Sequence, residues 1–316
     1  MNIVVLDGHA LNPGDLDWSP LEKLGNLTVY ERSGPNQVTA RAIDADIVLT
    51  NKSLLLGEQL EALPKLKFIS VMATGYNVID VPTAKSKGIS VSNVVGYSSD
   101  SVAQHAIALI LELSNGTGLH SRDVATYGWS KSTDWSYWKK PLIELSGKNL
   151  GIIGYGAIGQ KTAHLARAFG MKTLVYHPRL LKSTREYKLV SLNKLFSLSD
   201  FISLHVPLLP ETKEIVNRQR LQEMKKEAFL INTSRGQLIN EIDLQWALEN
   251  RVIAGAALDV LSQEPPAENH PLIGALNCII TPHQAWATFE SRGRLMNETV
   301  KNVEAFIHRK QRNVVV

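Results

Sequence analysis

Three side chains in the second half of the chain, Arg235, Glu264 and His283, combine types that suit reduction of a keto acid. Arg235 follows the β-rich run Leu230-Ile231-Asn232 and stands in Asn232-Thr233-Ser234-Arg235-Gly236. Its planar guanidinium can grip a carboxylate with two parallel hydrogen bonds and polarise the adjacent carbonyl. His283 follows Cys278-Ile279-Ile280-Thr281-Pro282. A protonated imidazole there can deliver a proton to the carbonyl oxygen as a hydride reaches the carbon. Glu264 lies just beyond Asp259, which ends the run Gly255-Ala256-Ala257-Leu258. A carboxylate beside an imidazole stabilises its protonated form and orients the ring. Each residue taken singly is more often structural; their joint position after three successive strand-like runs is what points to chemistry.

A hydride needs a carrier, and the sequence offers a place for one. Gly154-Tyr155-Gly156-Ala157-Ile158-Gly159 is a G-x-G-x-x-G. That pattern is weak alone, but here it follows the apolar run Leu150 to Ile153 and opens a helical pattern reaching Phe169. This is the context of a dinucleotide fingerprint. Gly154 permits the tight turn, Gly156 lets the backbone approach a pyrophosphate, and Gly159 lets helix and strand pack closely. Ala157 and Ile158, at the helix start, face the phosphates with free N–H groups and the positive end of the helix dipole. The next strand of an NAD site ends on an acid that binds the ribose. Here Val175-Tyr176 is followed by His177-Pro178-Arg179, and no acid occurs before Glu186. An acid would repel the 2′-phosphate of NADP, whereas Arg179, with Lys182 and Arg185 near it, can pair with it. The pattern favours NADP over NAD. The alternative is that His177 bonds an unphosphorylated ribose and the basic residues are solvated.

The elements that must position these groups read as two βα series. Ile3 to Leu6, Leu27 to Tyr30, Ile47 to Leu49 and Phe68 to Val71 are continuously apolar, as in strands buried on both faces of a parallel sheet. Val38 to Ile43, Leu54 to Leu63 and Thr83 to Lys87 read as helices between and after them. A second series runs from Asn149 through strands near 173–176, 201–204, 229–232, 254–258 and 278–281. Ser98 to Leu113 and Ala287 to Ile307 are helical patterns, and the Trp-rich stretch Trp129 to Trp138 has little periodicity. The last helix has no strand of its own to serve and is expected to pack back on the N-terminal domain. The expectation is an α/β chain of two doubly wound parallel sheets, a Rossmann nucleotide-binding domain (98–287) inserted into a flavodoxin-like substrate domain (1–97 and 288–316).

Composition narrows the class further. A length of 316 residues suits about two domains of ordinary size, and 44% hydrophobic with 20% charged residues excludes disorder and fibrous repeats. One cysteine, Cys278, excludes a disulfide framework or a multi-cysteine metal site, and no metal is expected. Lys and Arg exceed Asp and Glu by 34 − 30 = 4, but the charges are interspersed, so nucleic acid is not an expected partner. Met1-Asn2-Ile3-Val4 lacks the basic lead and apolar core of a signal peptide. No stretch approaches the roughly 18 apolar residues of a membrane span, and a cytoplasmic protein is expected.

The glycine motif, Asn232-Thr233-Ser234-Arg235-Gly236, Leu258-Asp259-Val260 with Glu264-Pro265, and Thr281-Pro282-His283 together resemble the D-isomer-specific 2-hydroxyacid dehydrogenases. The resemblance spans essentially the whole chain, including Ala73-Thr74-Gly75-Tyr76-Asn77 and His205-Val206-Pro207. Within the family it is nearest the glycerate dehydrogenases, or hydroxypyruvate reductases, through Thr281-Pro282-His283-Gln284-Ala285-Trp286-Ala287-Thr288. It implies Arg235, Glu264 and His283 as the catalytic set and Asp259 near the nicotinamide carboxamide. It implies that Thr74 and Gly75 offer N–H groups to the substrate carboxylate, and that Val206, Pro207, Thr212 and Thr233 line the cofactor. It also implies a homodimer formed through Ser98 to Leu113 and the Trp-rich segment. Trp286, close to His283 in sequence, is the better pocket candidate, while Trp135 and Trp138 are better read as packing residues.

Two departures from the family pattern stand out: His177 replaces the usual acid, and Gln104 stands where many relatives have Glu. The expected reaction is reduction of a short 2-keto acid, hydroxypyruvate or glyoxylate, to the D-2-hydroxy acid. Alternatives are a phosphoglycerate dehydrogenase-like enzyme, though without room for an appended regulatory domain, and a nucleotide-sensing protein resembling corepressors of this fold. Formate oxidation is disfavoured, because Glu264 stands where formate enzymes carry Gln.

Overall fold

The structure is a computed structural model describing every residue except Leu181. The chain divides into two compact units, Met1–Ser98 with Ala287–Val316, and Ser99–Trp286. The strands in chain order are β1 (Asn2–Val5), β2 (Asn26–Val29), β3 (Ile47–Thr50), β4 (Phe68–Val71) and β5 (Ser90–Ser92), then β6 (Asn149–Ile153) and β7 (Lys172–Tyr176). β8 (Lys188–Leu189), β9 (Phe201–Leu204), β10 (Phe229–Asn232), β11 (Gly255–Leu258) and β12 (Cys278–Ile280) follow. The helices are α1 (Ser19–Glu22), α2 (Val38–Ala42), α3 (Gly57–Glu61), α4 (Val81–Ser86), α5 (Ser99–Asn115) and α6 (Thr117–Ala125). They continue with α7 (Ala157–Ala168), α8 (Leu192–Leu198), α9 (Arg218–Glu223), α10 (Glu241–Glu249) and α11 (Phe289–Ile307).

In the first unit five parallel strands run in the order β2-β1-β3-β4-β5, the flavodoxin-like arrangement. Asp80 caps α4 by accepting from Thr83 N at 3.1 Å, and Pro82 sits in its first turn, where a missing N–H costs nothing. The helical reading of Leu54 to Leu63 is too long by three residues at its start. Leu55 N donates to Val78 O and Asp80 N to Leu55 O, so this stretch is extended and α3 begins at Gly57. α11 packs on β4: Phe306 stacks on Phe68 at 4.5 Å, and Asn302 Nδ2 donates to Asn93 O at 3.1 Å. Arg292 at its start holds Asp15 with both guanidinium NH2 groups, at 2.7 and 2.6 Å.

In the second unit seven parallel strands run β12-β11-β10-β9-β6-β7-β8. The order reverses beside β6, which makes the crevice at the carboxyl ends of β6 and β9 the switch point where ligands bind in such sheets. Adjacent residues of one strand enter different cores. Ile153 and Leu230 pack with Leu204 and Leu244 on one face, and Ile152 and Ile231 with Val175 and Ala106 on the other. Both faces are therefore buried, which is why these strands read as continuous apolar runs. α5 lies against α7 and presents Ala106, Ile110 and Leu113 to this core. Among the described residues, no helix is long and apolar enough to cross a membrane.

Candidate active site

The glycine turn after β6 has the geometry its residue types require. Gly154 has φ +94°, and a Cβ there would sit 2.4 Å from His205 O. At Gly159 a Cβ would lie 2.2 Å from Gly154 O, so helix α7 can approach its strand only without a side chain. Among the described residues, a Cβ on Gly156 would meet nothing within 4 Å: the space over the turn is open. Gly156 caps α7, whose first-turn N–H groups, those of Ala157 and Ile158 among them, have no acceptor within the helix.

At the end of β9, His205 N donates to Ile153 O and its Nε2 meets Ser203 Oγ at 2.9 Å. Nδ1 is buried without a hydrogen-bond partner among the described residues, and burial pushes the imidazole down to about 4. Val206 and Pro207 follow directly. Thr212 Oγ1 donates to Pro207 O at 2.7 Å and accepts from Leu209 N at 2.8 Å, so its hydroxyl closes this turn.

At the end of β10, Asn232 folds the next turn back on itself. Its Oδ1 accepts from Ser234 N at 3.0 Å and its Nδ2 donates to Arg235 O at 2.8 Å. Ser234 Oγ donates to Leu204 O on β9. Arg235 is exposed and spends one NH2 group on Ser234 O at 2.7 Å. Thr233 is buried and its Oγ1 has no hydrogen-bond partner among the described residues.

The ends of β11 and β12 are joined by Asp259, 1% exposed. Its carboxylate accepts from Thr281 Oγ1 at 2.6 Å, Gln284 N at 2.9 Å and Ala285 N at 2.8 Å. His105 of α5 lies 3.5 Å from the same carboxylate and 3.0 Å from Thr281 Oγ1. Burial alone would raise the Asp259 carboxyl; the bonds from His105, Thr281, Ala285 and Gln284 outweigh it and hold it below the usual carboxylate range. The clamp serves the residue between: His283, at φ +51°, sits in the left-handed region that favours glycine. Its N–H donates to Asp259 O at 2.8 Å. His283 Nδ1 meets Glu264 Oε2 at 2.6 Å, while Glu264 Oε1 accepts from Leu261 N at 3.1 Å. With Nδ1–H given to the carboxylate, Nε2 is the ring atom left to face a substrate.

The structure thus joins two of the three expected catalytic side chains directly and ties the third, Arg235, through its backbone. A Cβ on Gly236 would sit 1.9 Å from Leu261 C and 2.2 Å from Ser262 N, so the Arg235 segment packs on the loop that carries Glu264. His177, after β7, accepts from Arg179 N through Nδ1 at 3.1 Å, and Arg179 is exposed. Glu186 pairs with Arg167 at 3.5 Å. Trp286 closes this unit, three residues past His283. Thr74 and Gly75 belong to the first unit, just past β4, where Thr74 Oγ1 donates to Val94 O. Sequence reading missed His105, Glu241, Ser262, His270 and the close packing at Gly236, since no spacing along the chain links them.

A glycine turn at a switch point, open over Gly156, with a buried unpartnered Thr233 hydroxyl at the neighbouring strand end, fits a dinucleotide. Together with the Glu–His pair it defines a nicotinamide-dependent dehydrogenase. The chain belongs to the D-isomer-specific 2-hydroxyacid dehydrogenase family, whose NAD-binding domain profile matches residues 107–285. Hydroxypyruvate reductase of Blautia hydrogenotrophica is 50% identical over 322 residues, covering 100% of this chain and 99% of that protein. Glycerate dehydrogenase of Methylorubrum extorquens is 40% identical over 283 residues, 89% of this chain and 88% of that one. Among solved structures, an acyclic imino acid reductase in complex with NADPH and D-Arg is similar at TM-score 0.85 and 31% identity, covering 100% of both chains.

Proposed function

We propose that the enzyme reduces hydroxypyruvate, with glyoxylate as a smaller alternative, to the D-2-hydroxy acid, using NADPH in preference to NADH. The observation that carries this reading is the 2.6 Å contact between His283 Nδ1 and Glu264 Oε2 at the carboxyl edge of the sheet. A bound reduced nicotinamide supplies the hydride. Arg235 grips the substrate carboxylate and draws electron density from the neighbouring carbonyl. His283, oriented by Glu264, gives the Nε2 proton to the carbonyl oxygen as that carbon is reduced. Thr74 and Gly75 offer backbone N–H groups to the same carboxylate, and Trp286 limits the substrate side chain.

For the cofactor, Ala157 and Ile158 N–H groups would take the pyrophosphate, Asp259 would lie near the nicotinamide carboxamide, and Val206, Pro207 and Thr233 would line the adenine and nicotinamide ends. The Thr212 hydroxyl keeps that turn in shape. The NADPH preference rests on exposed Arg179, whose N–H orients His177, and on Glu186 being tied to Arg167. The Trp-rich segment, with Trp135 89% and Trp138 66% exposed, is the surface we assign to a homodimer; Trp135→Ser with Trp138→Ser should give monomers on sedimentation. Cys278, whose thiol burial pushes up to about 12, is inert and suits a cytoplasmic enzyme.

The deciding experiment is a panel of 2-keto acids with NADPH and NADH in parallel. Hydroxypyruvate should give the highest kcat/KM, and equal or better rates with NADH would overturn the cofactor preference. No cofactor oxidation with any keto acid would overturn the reading as a whole and favour a nucleotide-sensing protein.

A further inference from the structure

Ser262, two residues before Glu264, is held by three separate polar bonds, all from the segment that follows Arg235. Its N–H donates to Glu241 Oε1 at 2.7 Å, its hydroxyl to Glu241 Oε2, and its carbonyl accepts from Gln237 Nε2 at 2.7 Å. Gly236 packs directly on the Leu261–Ser262 backbone. Glu241 is the first residue of α10, where the helix dipole favours a carboxylate. The far end of the same loop returns to it: His270 Nε2 lies 3.2 Å from Glu241 Oε2, with the side chains 9% and 12% exposed. His270 Nδ1 accepts from Leu272 N at 3.3 Å, so in the neutral ring Nε2 carries the proton toward Glu241.

We propose that Glu241, with His270 and Ser262, forms a positioning clamp that sets the Glu264 loop relative to Arg235 and so fixes how Glu264 meets His283. The inference rests on the reading of Arg235, Glu264 and His283 given above and adds what holds them in register. One carboxylate gathers both ends of the loop, and its own helix follows Arg235 by six residues, so a shift of the loop against Arg235 has to break these bonds first. The stake is geometric. A hydrogen bond at 2.6 Å between Glu264 and His283 weakens steeply with displacement. A misplacement of about 1 Å at such a site costs up to about a hundredfold in rate.

The test compares Glu241→Ala, Glu241→Gln and Ser262→Ala with the unaltered enzyme in the direction of keto acid reduction. With the clamp gone in Glu241→Ala, the Glu264 loop is free to shift against Arg235, and the Glu264–His283 contact loses its alignment. In steady-state assays kcat should fall about tenfold, while KM changes less than about threefold. Glu241→Gln keeps an acceptor for Ser262 N and should recover most of the lost kcat. Ser262→Ala, which keeps both backbone bonds, should lie between Gln and the unaltered protein. NADPH binding, read from nucleotide fluorescence, should be unchanged, since the glycine turn after β6 lies outside the clamp.

A kcat within about twofold of that of the unaltered enzyme in Glu241→Ala overturns the proposal. So does a loss of activity matched by an equal loss of NADPH binding, which would make Glu241 a fold residue only. If the Ala variant does not fold, the Gln and Ser262 variants decide by the same two readouts. A His283→Ala enzyme with near-normal turnover would sink the underlying reading instead, whatever Glu241 does.

Discussion

The turn at the end of β12 and the turn at the end of β7 both present a histidine beyond a parallel strand, and they are held very differently. His283 is locked in a left-handed backbone conformation by Asp259, which gathers Thr281, Gln284 and Ala285 and is buried to 1% exposure. His177 is held only by its own turn, Nδ1 accepting from Arg179 N and its carbonyl from Leu180 N at 3.3 Å, and its neighbour Arg179 is exposed. Under the function proposed above, the difference separates two tasks. Proton transfer needs an atom fixed to a fraction of an ångström, so backbone strain is tolerated and offset by buried hydrogen bonds. Choosing between a ribose hydroxyl and a ribose phosphate is a matter of charge, which an exposed, loosely held side chain supplies.

The comparison is broken most severely by removing the fixed histidine. His283→Ala should lower kcat for keto acid reduction by about a hundredfold to ten-thousandfold in steady-state assays. Near-normal turnover would mean that the rigid turn serves no proton transfer.

A second test uses stability at a third strand end, that of β9, where a histidine is fixed by burial. His205, neutral with its imidazole pushed down to about 4 from an ordinary 6.5, stays deprotonated in the folded protein while the unfolded chain takes up a proton below 6.5. The stabilising contribution is complete above 6.5 and is lost as pH falls from 6.5 toward 4, to a limit of about 3 kcal/mol. Urea midpoints at pH 7.5 and 5 should differ more for the unaltered protein than for His205→Gln. An equal difference would remove His205 from the list of groups that titrate with folding.

Asp259→Asn keeps the shape of the hub but turns an amide N–H2 toward donors that need an acceptor. We expect a loss of about 2 kcal/mol in urea unfolding, the cost of leaving a buried N–H unpaired. The mildest perturbation belongs to the loose turn. Arg179→Asp should move the ratio of kcat/KM for NADPH over NADH by about tenfold toward NADH, with little change in urea midpoint. A large stability loss there would show that the two turns are more alike than their contacts indicate.

What could be read from the sequence follows the same division. Strands buried on both faces, such as β6 and β10, announce themselves as unbroken apolar runs, and the glycine turn by three residues with separate steric duties. β5, Ser90-Val91-Ser92, is polar at alternate positions because Ser92 Oγ donates to Ser70 Oγ inside the unit, and it was illegible for that reason. α6 buries no residue, so it has no apolar stripe to read. β8 is two residues at a sheet edge. At the site, Arg235, Glu264 and His283 were legible because they stand at strand ends. Their supports were not. Glu241 reaches Ser262 across 21 residues, and His105 reaches Thr281 across 176, so only the folded sheet brings them together.

The C-terminal helix gives the first unit an unusual history. Arg292 bonds Leu11 O across 281 residues, and Asn302 reaches Ser70 across 232. During synthesis, a sheet built from the first hundred residues must wait for a helix that emerges after the whole second unit has been made. Until then β4 lacks the cover of Phe306, and an apolar strand is open to wrong partners. The second unit, continuous in sequence, has every element it needs before α11 exists. Domain completion therefore runs opposite to chain order, and the nascent first unit is the stage at which this protein is most exposed to aggregation and to chaperones.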